Sequence, residues 1–222
     1  MKPLPWSFSA LEDFINCPRS YHAKRVIKSV PFEQSAEAAI GVRVHKAFEE
    51  RLKFGRQLPE HLQEHEFFME WLDNLPGKHE AERKVALNTK RQPCGYFDKD
   101  VWFRGVLDYT KLHKNRALVV DFKTGKPKKD DKQTKLFALS IFIEFPDVQE
   151  VRAIYYWTKD QSSTKFDYKV EDVAELWGGF IPDLRQYVQA FKEDIWQPRQ
   201  SGLCRGWCPV QECEFWQPKR RW

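Results

Sequence analysis

Apolar residues recur at helical spacing in some stretches of this chain and in alternation or short runs in others. Leu11, Phe14 and Ile15 share one helical face that stops near Cys17-Pro18, and Ser9-Ala-Leu-Glu12 ahead of them reads as a capping box. Ile40, Val44, Ala47, Phe48 and Leu52 predict a second helix from about Glu37 to Phe54. Leu62, Phe67, Phe68, Trp71 and Leu72 predict a third, ended by Pro76-Gly77. The period then changes: Glu82 to Leu87, Val101 to Tyr109 and Ala117 to Lys123 are rich in Val, Leu and aromatics, as strands are. Lys132 to Phe145 returns to helical spacing. Val148 to Thr158 and Lys165 to Val170 read as strands, and Val173 to Phe191 as a helix kinked at Pro182. This order predicts an α/β fold, a mixed central sheet with helices on its faces.

Composition narrows the class. At 222 residues the chain suits one domain, 1–222, with a helical part (1–78), an αβ core (79–192) and a cysteine-rich tail (193–222). Its 41% hydrophobic and 15% aromatic residues can build a core, which excludes a disordered or low-complexity chain. The longest apolar run, Phe137 to Phe145, is broken by Ser140 and Glu144 and is too short to span a membrane. Glu12 and Asp13 near the start argue against a secretory signal, so a cytoplasmic location is expected. The formal charge of +5 leaves room for a basic groove. Five cysteines, an odd count, argue against a disulfide framework, and three of them crowd into Cys204-x3-Cys208-x4-Cys213.

Two charges interrupt an otherwise apolar strand at Val119-Val120-Asp121-Phe122-Lys123-Thr124-Gly125. Side chains two apart on a strand share a face, so Asp121 and Lys123 do. Burying them costs several kcal/mol each unless they pair or hold a metal. Gly105-Val-Leu-Asp108 places another acid on the preceding strand. With Lys114-Asn115 as the tip of a tight hairpin, Asp108 and Asp121 face each other with Cβ atoms about 4.5–5.5 Å apart. A hard divalent cation such as Mg²⁺ or Mn²⁺ between them removes the repulsion. A structural Asp121–Lys123 ion pair, with Asp108 starting a turn, is the alternative on spacing alone.

The ordered set Gly41-xxx-His45, Gly105-x-x-Asp108, Asp121-Phe-Lys123-Thr-Gly and Gln133 resembles the RecB-like branch of the PD-(D/E)XK nuclease superfamily. So do the opening Ser7-x-Ser9…Cys17-Pro18-Arg19-x-Tyr21 and the cysteine tail, and the likeness runs from about Ser7 to Trp216. The layout is similar to the stand-alone exonucleases of CRISPR adaptation, to AddB-type nuclease modules and to phage nucleases. The resemblance implies a restriction-endonuclease-like core and hydrolysis of DNA, at single strands or ends, with one or two Mg²⁺ or Mn²⁺ ions. It implies His45, Asp108, Asp121 and the backbone carbonyl of Phe122 as metal ligands. Lys123 would act on the attacking water and the phosphate, and Gln133 would position the lysine or the nucleotide. Glu82 stands where members often carry a further acid; a surface strand residue is the alternative. Two departures stand out: Asp121 replaces the commoner Glu, and Gln133-xxx-Phe137 lacks the family's Tyr hydroxyl.

The same resemblance joins Cys17 to Cys204, Cys208 and Cys213 as ligands of a 4Fe–4S cluster that staples the chain's two ends. The usual spacing has two and five intervening residues; here there are three and four. A four-cysteine zinc site is the competitor, and four structural thiols the remaining alternative. Cys94 reads as an unpartnered loop residue.

Lys126, Lys128, Lys129 and Lys132 make the loop after Lys123 basic enough to meet phosphates, or simply solvated. Trp207 and Trp216 are candidates for stacking on bases, and Lys219-Arg-Arg221 for touching phosphates. His61-xxx-His65 reads as a wet helix face, since no third ligand is near. No phosphate-cradling loop, dinucleotide fingerprint or nucleophile elbow is present, so no nucleotide cofactor is expected. A recombination or integration protein is a possible partner. Rival readings are a non-catalytic DNA-binding adaptor of the same fold, a nuclease for RNA or junctions, and a metal-binding metabolic enzyme.

Overall fold

The computed structural model describes residues 1–31 and 35–218, so the Lys219-Arg-Arg221 segment lies outside it. The chain divides into two compact units, Gln34–Trp177 and Met1–Glu33 with Gly178–Trp222.

The Gln34–Trp177 unit is built on a five-stranded sheet in the order β1-β2-β3-β4-β5. Its strands are β1 (Lys78–Asn88), β2 (Val101–His113), β3 (Arg116–Lys123), β4 (Glu150–Trp157) and β5 (Ser162–Lys169). Neighbours pair antiparallel except β3 with β4, which run parallel because helix α5 (Lys132–Glu144) crosses between them. The pattern-derived mixed sheet is therefore present. Helix α5 is buried on nearly every side, from Thr134 to Phe142, which suits a crossover packed on a sheet. Phe137 is part of that buried set.

Helix α3 (Ala36–Phe54) is capped by Ser35, whose hydroxyl accepts from the N–H of Ala38. It buries Val44, Phe48 and Leu52 against Tyr109, Val120, Phe122 and Tyr156 of the sheet, whereas Ile40 stays exposed. Helix α4 (Glu66–Asn74), entered through a 3₁₀ turn at Glu60–His65, adds Met69 and Leu72 to the same core. Arg51 ties α3 to α4 through Glu66 and Asp73. Buried Lys111 donates to the Leu72 and Asp73 carbonyls, satisfying the last acceptors of α4. Beyond Pro76 the chain turns at Gly77 with φ +115°, where a Cβ would meet the Leu112 carbonyl oxygen at 2.2 Å.

His65 departs from the sequence expectation. It is 2% exposed, its Nδ1 3.0 Å from the Tyr156 hydroxyl and its ring edge-on to Phe48. The 3₁₀ turn aims it inward, while His61 stays outside.

The second unit joins α1 (Phe8–Asn16), α2 (Pro18–Tyr21) and α7 (Ile181–Glu193). Ser7, rather than Ser9, caps α1 by accepting from the Ala10 N–H. Pro182 lies in the first turn of α7, where its missing N–H costs nothing. The chain breaks there into α6 (Val173–Gly178) and α7 in place of one kinked helix. Phe14, Tyr21, Tyr187 and Phe191 pack edge to face, with the Tyr21 and Tyr187 hydroxyls 2.7 Å apart. No helix among the described residues is long and apolar enough to cross a membrane.

Candidate active site

The β2–β3 hairpin pairs residues symmetrically about Lys114-Asn115, as expected, from His113↔Arg116 up to Tyr109↔Val120. There the ladder ends. Asp108 and Asp121 do not form the next pair; the Asp108 carboxylate instead accepts the N–H of Phe122 at 2.8 Å. Each acid then gathers its own surroundings.

Asp121 sits in a closed polar triangle. Its Oδ1 accepts from Gln133 Nε2 at 3.1 Å, while Gln133 Oε1 accepts from Lys123 Nζ at 2.6 Å. Lys123 Nζ also stands 2.7 Å from the enclosed Asp121 Oδ2 as an ion pair. Burial first, then the Asp108 charge, pushes the Asp121 carboxyl up to about 6, against the pull of Lys123. Gln133 reaches in from the first turn of α5 because the loop after Lys123 returns the chain to the sheet there. Tyr155, paired with Asp121 across the parallel ladder, lays its ring 5.2 Å under the lysine ammonium. Sequence spacing gave no sign of Tyr155; the β3–β4 register is what places it.

Asp108 belongs to a second group. His45 of α3 brings Nδ1 to 3.3 Å from Asp108 Oδ2, and the Phe122 backbone carbonyl faces the same ring. Gly41, one turn earlier, lets the helix come this close: a Cβ there would stand 3.2 Å from Thr124 Oγ1. Burial alone would lower the His45 pKa, but Asp108 and then Asp121 outweigh it, and the net shift is upward. Glu82 completes the group. It lies where the β1–β2 register would set it opposite Asp108, between Ala81↔Tyr109 and Arg83↔Leu107. Its φ of +55° puts a side-chain-bearing residue in the left-handed region, at a cost of about 1–2 kcal/mol. One ligand atom each from His45, Glu82 and Asp108 lie within 4.8 Å of one another. Burial, then Asp108 and Glu49, raise the Glu82 pKa.

These residues fit a hard divalent cation. Two carboxylates and an imidazole converge, with the enclosed Asp121 carboxylate beside them, and the Glu82 and Asp121 carboxyl groups are held above their usual pKa. Phe122 offers its carbonyl to the same space. Glu82 thus stands half-buried beside His45 and Asp108. Lys126, Lys128 and Lys129 are exposed on the loop after β3, and Lys132 is half-buried at the start of α5.

In the other unit, Cys17, Cys204, Cys208 and Cys213 line one hollow together with Val210 and Trp216. The Arg199 N–H points at Cys17 Sγ (3.4 Å) and the Ser201 N–H at Cys204 Sγ (3.5 Å). All four thiols are half-buried and unbridged. Trp216 spends its indole N–H on the Cys208 carbonyl, whereas Trp207 is exposed. Cys94 lies in the β1–β2 loop with Asp98 and Asp100, ligand atoms within 4.8 Å.

Among proteins with curated descriptions, none matches this chain. Two solved structures share its fold over 95% of its length and 86% of theirs. One, described as SSO0001, is 14% identical with a TM-score of 0.51. The other, a protein of Eubacterium rectale described as a candidate exonuclease, is 11% identical with a TM-score of 0.55. The family model of the PD-(D/E)XK nuclease superfamily matches residues 5–213. With a mixed sheet between helices and an acid–acid–lysine centre at the end of β3, this chain belongs to the PD-(D/E)XK nuclease superfamily, on a restriction-endonuclease-like α/β fold.

Proposed function

We propose that this protein is a divalent-metal-dependent deoxyribonuclease that acts as an exonuclease on single-stranded DNA or on DNA ends. The observation that carries the reading is the convergent group of His45, Glu82 and Asp108 beside the enclosed Asp121–Lys123 ion pair. A pure binding protein gains nothing from these mutually repelling acids, which cost stability.

In this reading Asp108, Asp121, Glu82, His45 and the Phe122 carbonyl hold Mg²⁺ or Mn²⁺. Bound there, the cation would polarise the phosphodiester and lower the pKa of the attacking water. Lys123 sets its ammonium beside the metal ligands, where it orients the water and balances charge gathering on the phosphoryl oxygens. Gln133 holds that ammonium in place, and Tyr155 shields its other side. Lys126, Lys128, Lys129 and Lys132 steady the nucleic-acid backbone. The preference for ends rests on the family resemblance and on the description of the Eubacterium rectale protein.

Cys17, Cys204, Cys208 and Cys213 are assigned to a 4Fe–4S cluster. The assignment rests on the family resemblance and on the four thiols lining one hollow.

The test is cleavage of end-labelled single-stranded DNA with Mn²⁺. Asp108→Ala and Lys123→Ala are each expected to lose at least about a thousandfold in rate while keeping the wild-type circular dichroism spectrum. Wild-type rates in either variant would overturn the assignment.

A further inference from the structure

The loop between β1 and β2 carries a feature that the catalytic reading does not use. Lys84 of β1 and Arg104 of β2 both stand over the same two rings. Lys84 Nζ lies 5.5 Å from the centroids of Tyr96 and of Phe97, and the Arg104 guanidinium lies 5.4 and 5.9 Å from them. The rings meet edge to face at 5.1 Å. Phe97 is 77% exposed, although burying a phenyl ring normally stabilises a fold. Neither cation has a carboxylate within ion-pair distance among the described residues. Asp98, in the same loop, spends its carboxylate on the Gly95 N–H. Arg104 Nε is enclosed and has no acceptor. Two like charges gathered over one aromatic pair, with an enclosed donor unmet, form a surface complementary to an anion that also carries a flat ring.

The position of this cluster is informative. On β2, Phe103 and Leu107 are fully buried and alternate with Arg104, Val106 and Asp108, which places Arg104 and Asp108 on one face of the strand. At about 3.4 Å per residue they are roughly 14 Å apart. A single extended strand of nucleic acid seated at Asp108 would therefore run over Arg104 within a few nucleotides.

We propose that Lys84, Arg104, Tyr96 and Phe97 form a binding site for single-stranded nucleic acid, upstream or downstream of the metal centre along β2. An unpaired base stacks on Phe97 and Tyr96, and the adjoining phosphates pair with Arg104 and Lys84. Aromatic stacking tolerates every base, so the site holds the strand without reading its sequence. The proposal deepens the nuclease reading and rests on it only for the identity of the ligand.

The test measures binding of a fluorescein-labelled ten-nucleotide oligothymidylate to the full chain, in chelator so that the strand stays intact, across a salt series. Phe97→Ala is expected to weaken binding about tenfold with little change in salt dependence, because stacking is uncharged. Arg104→Gln is expected to weaken binding and to lower the slope of log K against log salt by about 0.7, the signature of one lost phosphate contact. Phe67→Ala, which removes an equally exposed ring from α4, serves as the matched control and should bind as wild type. Wild-type affinity in both Phe97→Ala and Arg104→Gln overturns the proposal, as does a wild-type chain that fails to bind the strand. Phe97 is exposed enough that its variant keeps the fold, so its result stands if Arg104→Gln melts. Cleavage by wild type in Mn²⁺, run alongside, separates the two ideas. A chain that cuts but is indifferent to Phe97 and Arg104 refutes only this site; one that binds through them without cutting refutes only the nuclease reading.

Discussion

Lys123 Nζ donates to Gln133 Oε1 over 2.6 Å, and that contact fixes which way the glutamine amide faces: its Nε2 is left to donate to Asp121 Oδ1. The amide therefore meets two charges of opposite sign at once, which an apolar residue at 133 cannot do. Gln133→Ala is expected to slow Mn²⁺-dependent cleavage by about a hundredfold through a misplaced lysine. Gln133→Glu should be at least as slow, since it keeps an acceptor for Lys123 but turns the donor facing Asp121 into a repelling oxygen. Single-turnover rates on labelled DNA check both; equal rates in wild type and Gln133→Ala would remove Gln133 from the mechanism.

Asp121 is the acid whose ionisation the fold opposes most openly, through burial and the charge of Asp108. Neutralising it should cost function and return stability. Asp121→Asn is expected to lose at least about a thousandfold in cleavage while melting, in chelator, roughly 2–4 °C higher than wild type, equivalent to about 1 kcal/mol. Mg²⁺ or Mn²⁺ should then raise the melting temperature of wild type much more than that of the variant, since only the intact site gains by mass action. Thermal melts with and without metal decide this.

The hairpin that carries the acids was legible from the sequence because a two-residue tip leaves one register, and Asp108 and Asp121 are equidistant from it. Their precise relation was not. The ladder stops one pair short, and the Phe122 N–H turns to the Asp108 carboxylate. That is a tertiary choice, made where α3 brings in His45. Glu82 could be named only as a place where relatives carry an acid, since its role depends on a left-handed backbone that no periodicity records. Tyr155 was invisible for a different reason: it meets Lys123 through a parallel pairing set by the α5 crossover, with 31 intervening residues. His65 misled because a 3₁₀ turn rotates side chains off the α-helical wheel, carrying it into the core.

That buried imidazole has a consequence for acid stability. Burial lowers the His65 pKa, against a weaker opposite pull from Glu64. The unfolded chain, with an ordinary value near 6.5, then binds the proton more readily than the native one. The contribution of neutral His65 is complete above about pH 6.5 and is lost as pH falls through the lowered native value. Wild type is expected to lose several degrees of melting temperature between about pH 7 and pH 5. His65→Phe should start lower, because the Tyr156 hydroxyl loses its partner, and then decline less steeply. Parallel slopes for the two proteins would show that His65 is not the titrating group.

The four cysteines bring residues 17 and 213 to one hollow, so anything that binds them closes a loop of nearly the whole chain. Loop-closure arithmetic, applied as for a covalent cross-link, gives on the order of 5 kcal/mol for such a closure. For a chain of this size that is roughly 10 °C of melting temperature. Protein prepared without oxygen is expected to be brown and to contain iron and sulfide. Cys208→Ala should lose the colour and melt roughly 10 °C lower, and oxidised or iron-chelated wild type should fall to the same value. Lys123→Ala should keep the colour, because the thiols and the lysine belong to separate units of the chain. A colourless preparation containing stoichiometric zinc would replace the iron assignment. A Cys208→Ala variant that melts with wild type under all conditions would mean the hollow holds no staple.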